Sequence, residues 1–171
     1  IMFSSGTTGK PKCIVHSAGG VLLKHLVEVG LHSNAIEKKK SFYFTTCGWM
    51  MWNWLVSSLM LNSTICLYDG SPFYPNADIL WRYAEEEKFN FFGTSAKYID
   101  ALSKFKNKIS EKFELENLET IGSTGSPLVH ESFDYVYNNI KKDVHLASLS
   151  GGTDIVGLSL IHISEPTRQF R

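Results

Sequence analysis

Ile1-Met2-Phe3-Ser4-Ser5-Gly6-Thr7-Thr8-Gly9-Lys10-Pro11-Lys12-Cys13-Ile14-Val15 opens the chain, and the rest is organised around it. Between its apolar ends, residues 4–12 hold two glycines, four hydroxyl side chains and two lysines. Glycine lets a turn enter positive φ and lets the backbone come close to a ligand. Successive N–H groups in such a turn form a concavity for anions, to which hydroxyls add donors and lysine adds charge. The guest this chemistry suits is a polyphosphate. The pattern differs from G-x-x-x-x-G-K-[ST] running into a helix. Gly6 and Gly9 are three apart, and Lys10 precedes Pro11, which pushes Lys10 toward extended geometry. The loop is therefore expected to join two strands. A polar hairpin turn without a ligand is the plain alternative.

With 171 residues, 43% apolar and 13% aromatic, the chain suffices for one domain with a real core. Its formal net charge is zero, which argues against a general binder of nucleic acid or anionic membrane. Cys13, Cys47 and Cys66 show no paired spacing, so reduced thiols in a cytoplasmic protein are the simplest account. The most apolar stretch, residues 49–68, is interrupted by Asn53, Ser57, Ser58 and Asn62 and makes a poor membrane span. Cys13 and His16 fall on opposite faces of a strand over 11–17, which argues against their ligating one metal.

Further along, helix and strand patterns alternate. Residues 18–31 read as a helix with Leu22, Leu26 and Val29 on one stripe. Strands are expected over 41–46, 64–68, 89–93, 118–123 and 144–149. Helices are expected from Gly48 to about Leu61, from an Asn76 cap to about Glu87, from a Ser95 cap past Leu102 to Phe105, and over the stripe Phe133, Val136, Tyr137 and Ile140. Residues 106–117 read as polar surface. This predicts an α/β fold, a mostly parallel sheet with helices on both faces. In such sheets ligands gather at the carboxyl ends of the strands. There the sequence puts Gly48-Trp49, Gly122-Ser123-Thr124-Gly125-Ser126-Pro127 and Ser150-Gly151-Gly152-Thr153-Asp154. The run Trp49-Met50-Met51-Trp52-Asn53-Trp54 reads equally as packed core or as the wall of a pocket for a small organic group.

The segment Ser4-Ser5-Gly6-Thr7-Thr8-Gly9-Lys10-Pro11-Lys12 is similar to the phosphate-loop signature of the adenylate-forming enzymes: acyl-CoA synthetases, adenylation domains and luciferases. Residues 46–54, 67–72, 123–128 and 150–155 resemble the branch of that superfamily that activates acetoacetate. The resemblance covers residues 1 to about 156. It implies that ATP, Mg²⁺ and coenzyme A are used, with a carboxylate first adenylated and then passed to the CoA thiol. It implies that Ser4, Ser5, Gly6, Thr7, Thr8, Gly9 and Lys10 hold the β- and γ-phosphates, and that Gly125, Ser126 and Pro127 line the adenine site. Thr153 would contact the α-phosphate. Asp154 stands where most relatives carry a Mg²⁺-binding glutamate. Gly151 matches a tryptophan that closes the acyl pocket of acetate-specific relatives, so a pocket of Gly151, Trp49, Met50 and Met51 is expected to admit a longer acid, and Gly151→Trp to shift preference toward acetate.

The resemblance also predicts a ribose-binding aspartate, a hinge and a small domain with a catalytic lysine, none of which follows Asp154. Residues 158–171, Leu-Ser-Leu-Ile-His-Ile-Ser-Glu-Pro-Thr-Arg-Gln-Phe-Arg, are similar to the translation of a transposase-type sequencing adapter. The expectation is a partial adenylation domain over 1–157, inactive by itself, with a non-native tail over 158–171.

Overall fold

The computed structural model describes residues 1–4, 9–105 and 107–160. Ser5, Gly6, Thr7 and Thr8 of the glycine-rich loop, and residues 161–171 of the tail, lie outside them. Strands β1 (Met2–Ser4) and β2 (Lys12–Ile14) pair antiparallel, with Ser4 opposite Lys12. The loop thus joins two strands, as the Lys10-Pro11 step implied.

Five parallel strands form the main sheet: β3 (Lys40–Tyr43), β4 (Thr64–Cys66), β5 (Phe91–Ser95), β6 (Thr120–Thr124) and β7 (His145–Ser148), in the order β4-β3-β5-β6-β7. Because all run the same way, their carboxyl ends share one edge. The chain leaves β3 toward one side and returns to its other side as β5, so the topological switch lies between those two strands.

Side chains alternate across the sheet. Phe42, Phe92, Ile121 and Leu146 point to one core; Tyr43, Phe91, Ala147 and Leu149 point to the other. The first face is covered by α3 (Ile79–Glu86), α4 (Ala96–Lys104) and α5 (His130–Asn139). The second is covered by α1 (Ala18–His25), a π-helical segment (Leu26–His32) and α2 (Met50–Ser57). Local signals start two of these helices. The Ser17 hydroxyl accepts from the Gly20 N–H and the Ser95 hydroxyl from the Tyr98 N–H, both at 3.2 Å, each satisfying one of the orphan donors of a first turn. A last hairpin, β8 (Ser150–Gly152) with β9 (Gly157–Leu160), closes the second face.

The expectations from sequence need correcting at four places. Asn76 does not cap its helix: α3 starts at Ile79 after Asp78, and the Asn76 side chain instead accepts from the Asp78 N–H in the turn before it. Leu22 and Leu26 are 50% and 42% exposed; the inner side of that helix carries His25, Glu28 and Val29. A periodicity marks a stripe but not the partner, and here the partner is largely backbone and indole N–H. The change to π-helical winding at Leu26 also rotates the later residues. Phe105 is exposed, whereas Trp81, not singled out from the pattern of its helix, is fully buried. Within 106–117, Ile109 and Leu115 are buried, pinning that loop to the core.

Candidate active site

Three clefts open at the carboxyl edge of the sheet, and the Trp49 side chain borders all of them. Trp49 comes just before α2 and is half-buried; its ring meets Tyr43 edge-on at 5.8 Å. The run of three indoles therefore divides its labour. Trp54 is fully buried core, Trp49 is pocket wall, and Trp52 reaches the largest cleft.

The smallest cleft, about 210 Å³, is lined by Trp49, Met50, Met51, Thr124, Gly125, Gly151, Gly152, Thr153 and Leu158. It gathers all four residues of the expected acyl pocket, together with Gly125 and Thr153. Met50 and Met51 are buried beneath it. Gly125 turns there at φ +91°, a conformation glycine adopts freely and other residues at a cost. The Thr124 hydroxyl donates to the Leu149 carbonyl at 2.7 Å, tying the ends of β6 and β7 together below the cleft.

A second cleft, about 490 Å³, is lined by Met2 and Phe3 of β1, by Thr46, Cys47 and Gly48 after β3, by Trp49 and Met50, and by Thr153. The strand that feeds the glycine-rich loop thus shares a cavity with the threonine of the last turn. His16 reinforces the contact: its Nε2–H donates to the Thr153 carbonyl at 2.9 Å across 137 residues of sequence. The third cleft, about 830 Å³, lies at the topological switch between Tyr43, Phe44 and Thr45 of one strand end, Ser95 of the other, and Leu67, Tyr68, Asp69 and Gly70. Burial pushes the Tyr43 phenol well above its ordinary value, so it stays a neutral donor, bonded to the Thr94 carbonyl at 3.1 Å.

Ser4, Gly9, Lys10, Ser126, Pro127 and Asp154 do not line these three clefts. Gly9, Lys10, Ser126, Pro127 and Asp154 stand exposed, Ser126 and Pro127 next to Gly125 and Asp154 next to Thr153. Gly151 has a packing reason to be glycine. A Cβ there would lie 2.9 Å from the Leu158 Cα and against the Gly157 carbonyl. Any side chain must displace the backbone of β9 and does not simply project into the acyl cleft.

Among the described residues no group of three or more His, Cys, Asp or Glu could hold a metal ion. A lone exposed carboxylate such as Asp154 still fits Mg²⁺, which keeps most of its water and is held by one or two carboxylates plus substrate phosphates. Sequence reasoning weighed His16 only as a metal partner of Cys13, read His25 as structural or exposed, and did not single out Glu28. The available signal was a histidine and a carboxylate three residues apart within an amphipathic helix.

The family model described as AMP-binding enzyme matches residues 1–169. The acetoacetyl-coenzyme A synthetase of Rhizobium meliloti (strain 1021) is 59% identical over 156 residues, which is 91% of this chain and 24% of that protein. The acetoacetyl-CoA synthetase of Danio rerio is 51% identical over the same share of this chain and 23% of its own. The solved structure of acetoacetyl-CoA synthetase from Streptomyces lividans superposes with a TM-score of 0.88 at 42% identity, covering 94% of this chain and 25% of that one. The chain spans about a quarter of the length of these relatives. With its sheet, its strand-joining loop and its cleft-sharing threonine, the chain belongs to the AMP-binding enzyme family.

Proposed function

We propose that the protein is an ATP-dependent acid–thiol ligase acting on acetoacetate, and that this chain supplies part of its adenylation site. One oxygen of the acetoacetate carboxylate attacks the α-phosphorus of ATP, the α–β phosphoanhydride breaks, and pyrophosphate leaves. The CoA thiol then attacks the acyl carbonyl, loses its proton, and AMP departs. The observation that carries this reading is the cleft shared by Met2, Phe3 and Thr153. It brings the loop-bearing hairpin to the same place as the expected α-phosphate contact.

Ser4 to Lys10 would wrap the terminal phosphates, with the charge of Lys10 balancing theirs. Gly125, Ser126 and Pro127 would border the adenine, and Thr153 would hold the α-phosphate while the carboxylate approaches from the small cleft. That cleft is lined by Trp49, Met50, Met51 and Gly151 among others, and its size would suit a four-carbon acid. Asp154 would help hold Mg²⁺, whose charge neutralises the phosphates. Catalysis here is positioning and charge stabilisation.

Among the described residues no helix is long and apolar enough to cross a membrane. Free thiols at Cys13 and Cys47, both exposed, suit a reducing cytoplasm, which is where we place the protein. ATP–pyrophosphate exchange tests the function. Acetoacetate should drive exchange in the intact protein, and a panel of short- and medium-chain acids should drive it less. Equal exchange with butyrate or hexanoate would reassign the substrate, and nucleotide binding without exchange for any acid would remove the enzyme reading. The 171 residues alone are expected to show no turnover.

A further inference from the structure

The helical stretch that follows β2 carries a buried carboxylate that the proposed chemistry does not use. Glu28 is 2% exposed and lies in the π-helical segment. Its oxygens accept from the Trp54 indole N–H at 3.1 Å and from the backbone N–H of Leu158 at 3.0 and 3.1 Å. Lys24 pairs with it at 2.5 Å and also donates to the Leu158 carbonyl at 3.2 Å. One turn earlier, the fully buried His25 donates from Nε2 to the Val156 carbonyl at 2.5 Å, and its Nδ1 meets the Ser57 hydroxyl at 2.6 Å. With His16 on the Thr153 carbonyl, four side chains from residues 16–28 (His16, Lys24, His25 and Glu28) grip the backbone of 153–158. These contacts are to main-chain atoms, so they do not depend on which side chain stands at 156 or 158.

Apolar side chains could cover β9 at no loss of stability, because a buried ion pair is often replaceable by well-packed hydrophobes. What hydrogen bonds add is a fixed position. π-helical windings also recur at functional sites. The hairpin held here carries Thr153 and Asp154 in the turn between β8 and β9.

We infer that Glu28 and His25 are positioning residues of the ligase reaction: they fix the β8–β9 turn to the helix that follows β2, and so set Thr153 and Asp154 against the β1–β2 hairpin that bears the phosphate loop. This rests on the function proposed above. Glu28 and His25 touch no substrate; they act through the hairpin backbone.

The test compares intact wild-type protein with E28Q, H25L and H25Q. Glutamine at 28 keeps the shape, but with its oxygen toward Trp54 and Leu158 its NH2 must face the Lys24 ammonium, so the charge pair and the second acceptor for Leu158 are lost. Glutamine at 25 retains a donor for the Val156 carbonyl, and leucine does not. Amide hydrogen exchange over 154–158 should accelerate about tenfold or more in E28Q and H25L, with β5 and β6 unchanged, because a tethered segment opens locally when its tether goes. The kcat of acetoacetate-dependent pyrophosphate exchange should fall about ten- to a hundredfold in both, with KM for ATP within about threefold, as expected for a small misplacement of catalytic groups. H25Q should recover most of both effects. Unchanged hairpin exchange in E28Q and H25L overturns the inference, as does faster exchange with kcat intact, or H25Q behaving like H25L. If wild type shows no acetoacetate-dependent exchange, the ligase reading falls, and the amide rates still decide whether the clamp exists.

Discussion

On one face of the sheet, Phe42, Phe92, Ile121 and Leu146 meet α3, α4 and α5 in a continuous apolar core; on the other, Tyr43, Phe91, Ala147 and Leu149 meet α2 and the π-helical segment beside buried Glu28 and His25. The first face is stacked aromatics: Trp81 lies on Phe92 at 4.4 Å and Phe89 on Phe42 at 4.9 Å, nearly parallel in both cases. The second is built around absences. The Tyr43 ring crosses the α-carbon of Gly93, and the Phe91 ring edge lies 2.8 Å from where a Gly122 Cβ would be. Those missing side chains let the rings lie flat and leave the strand ends free to form clefts. One face holds the fold, and the other trades packing for a site.

The contrast can be broken most strongly at Trp81. Trp81→Ala removes the largest ring of the first face and should cost about 3–5 kcal/mol, read by urea denaturation of the intact protein, with acid preference unchanged in the folded fraction. Gly93→Ala attacks the second face by filling it. The new methyl meets the Tyr43 ring and should cost about 1–3 kcal/mol, the usual range for overpacking. Because Tyr43 and Trp49 line the same cleft, it should also change ligand binding, which Trp81→Ala should not.

Gly151 sharpens the comparison further. Alanine there pushes on the β9 backbone, costing about 1–3 kcal/mol by the same overpacking argument and loosening the hairpin. Gly151→Trp should part β8 from β9. If it instead keeps full stability and shifts preference to acetate, the hairpin yields more easily than its geometry suggests.

A smaller effect is expected at Cys66. Burial, partly offset by the Lys40 charge, pushes its thiol from 9.0 up to about 11. The folded state therefore holds this proton more tightly than the unfolded chain. The stability it contributes is intact below pH 9 and declines as pH rises through about 11. Iodoacetamide at pH 8 should modify the exposed Cys13 and Cys47 and spare Cys66, as read by peptide mass. The smallest effect belongs to neither face. Asp100 and Lys104 pair at 2.8 Å on the exposed side of α4, and Asp100→Ala should cost no more than about 0.5 kcal/mol.

Short-range chemistry accounts for the features that the residues alone made legible. Lys10-Pro11 declares a strand after the loop, Ser95 declares a helix start, and alternating Phe91-Phe92 declares a strand buried on both sides. Each signal is carried by neighbours in the chain, so backbone preference and side-chain period suffice to read it. The parallel sheet follows from the order of such elements.

Which groups meet was decided only by the tertiary structure. Trp49 and Trp54 are five positions apart in one aromatic run, yet one walls three clefts and the other is core bonded to Glu28. His16 and Thr153 are 137 residues apart and share a hydrogen bond. Gly151 reads as an opened pocket until β9 is seen against its α-carbon. A site made where several strand ends converge depends on long-range packing, and that packing is a property of the folded chain that no local window contains.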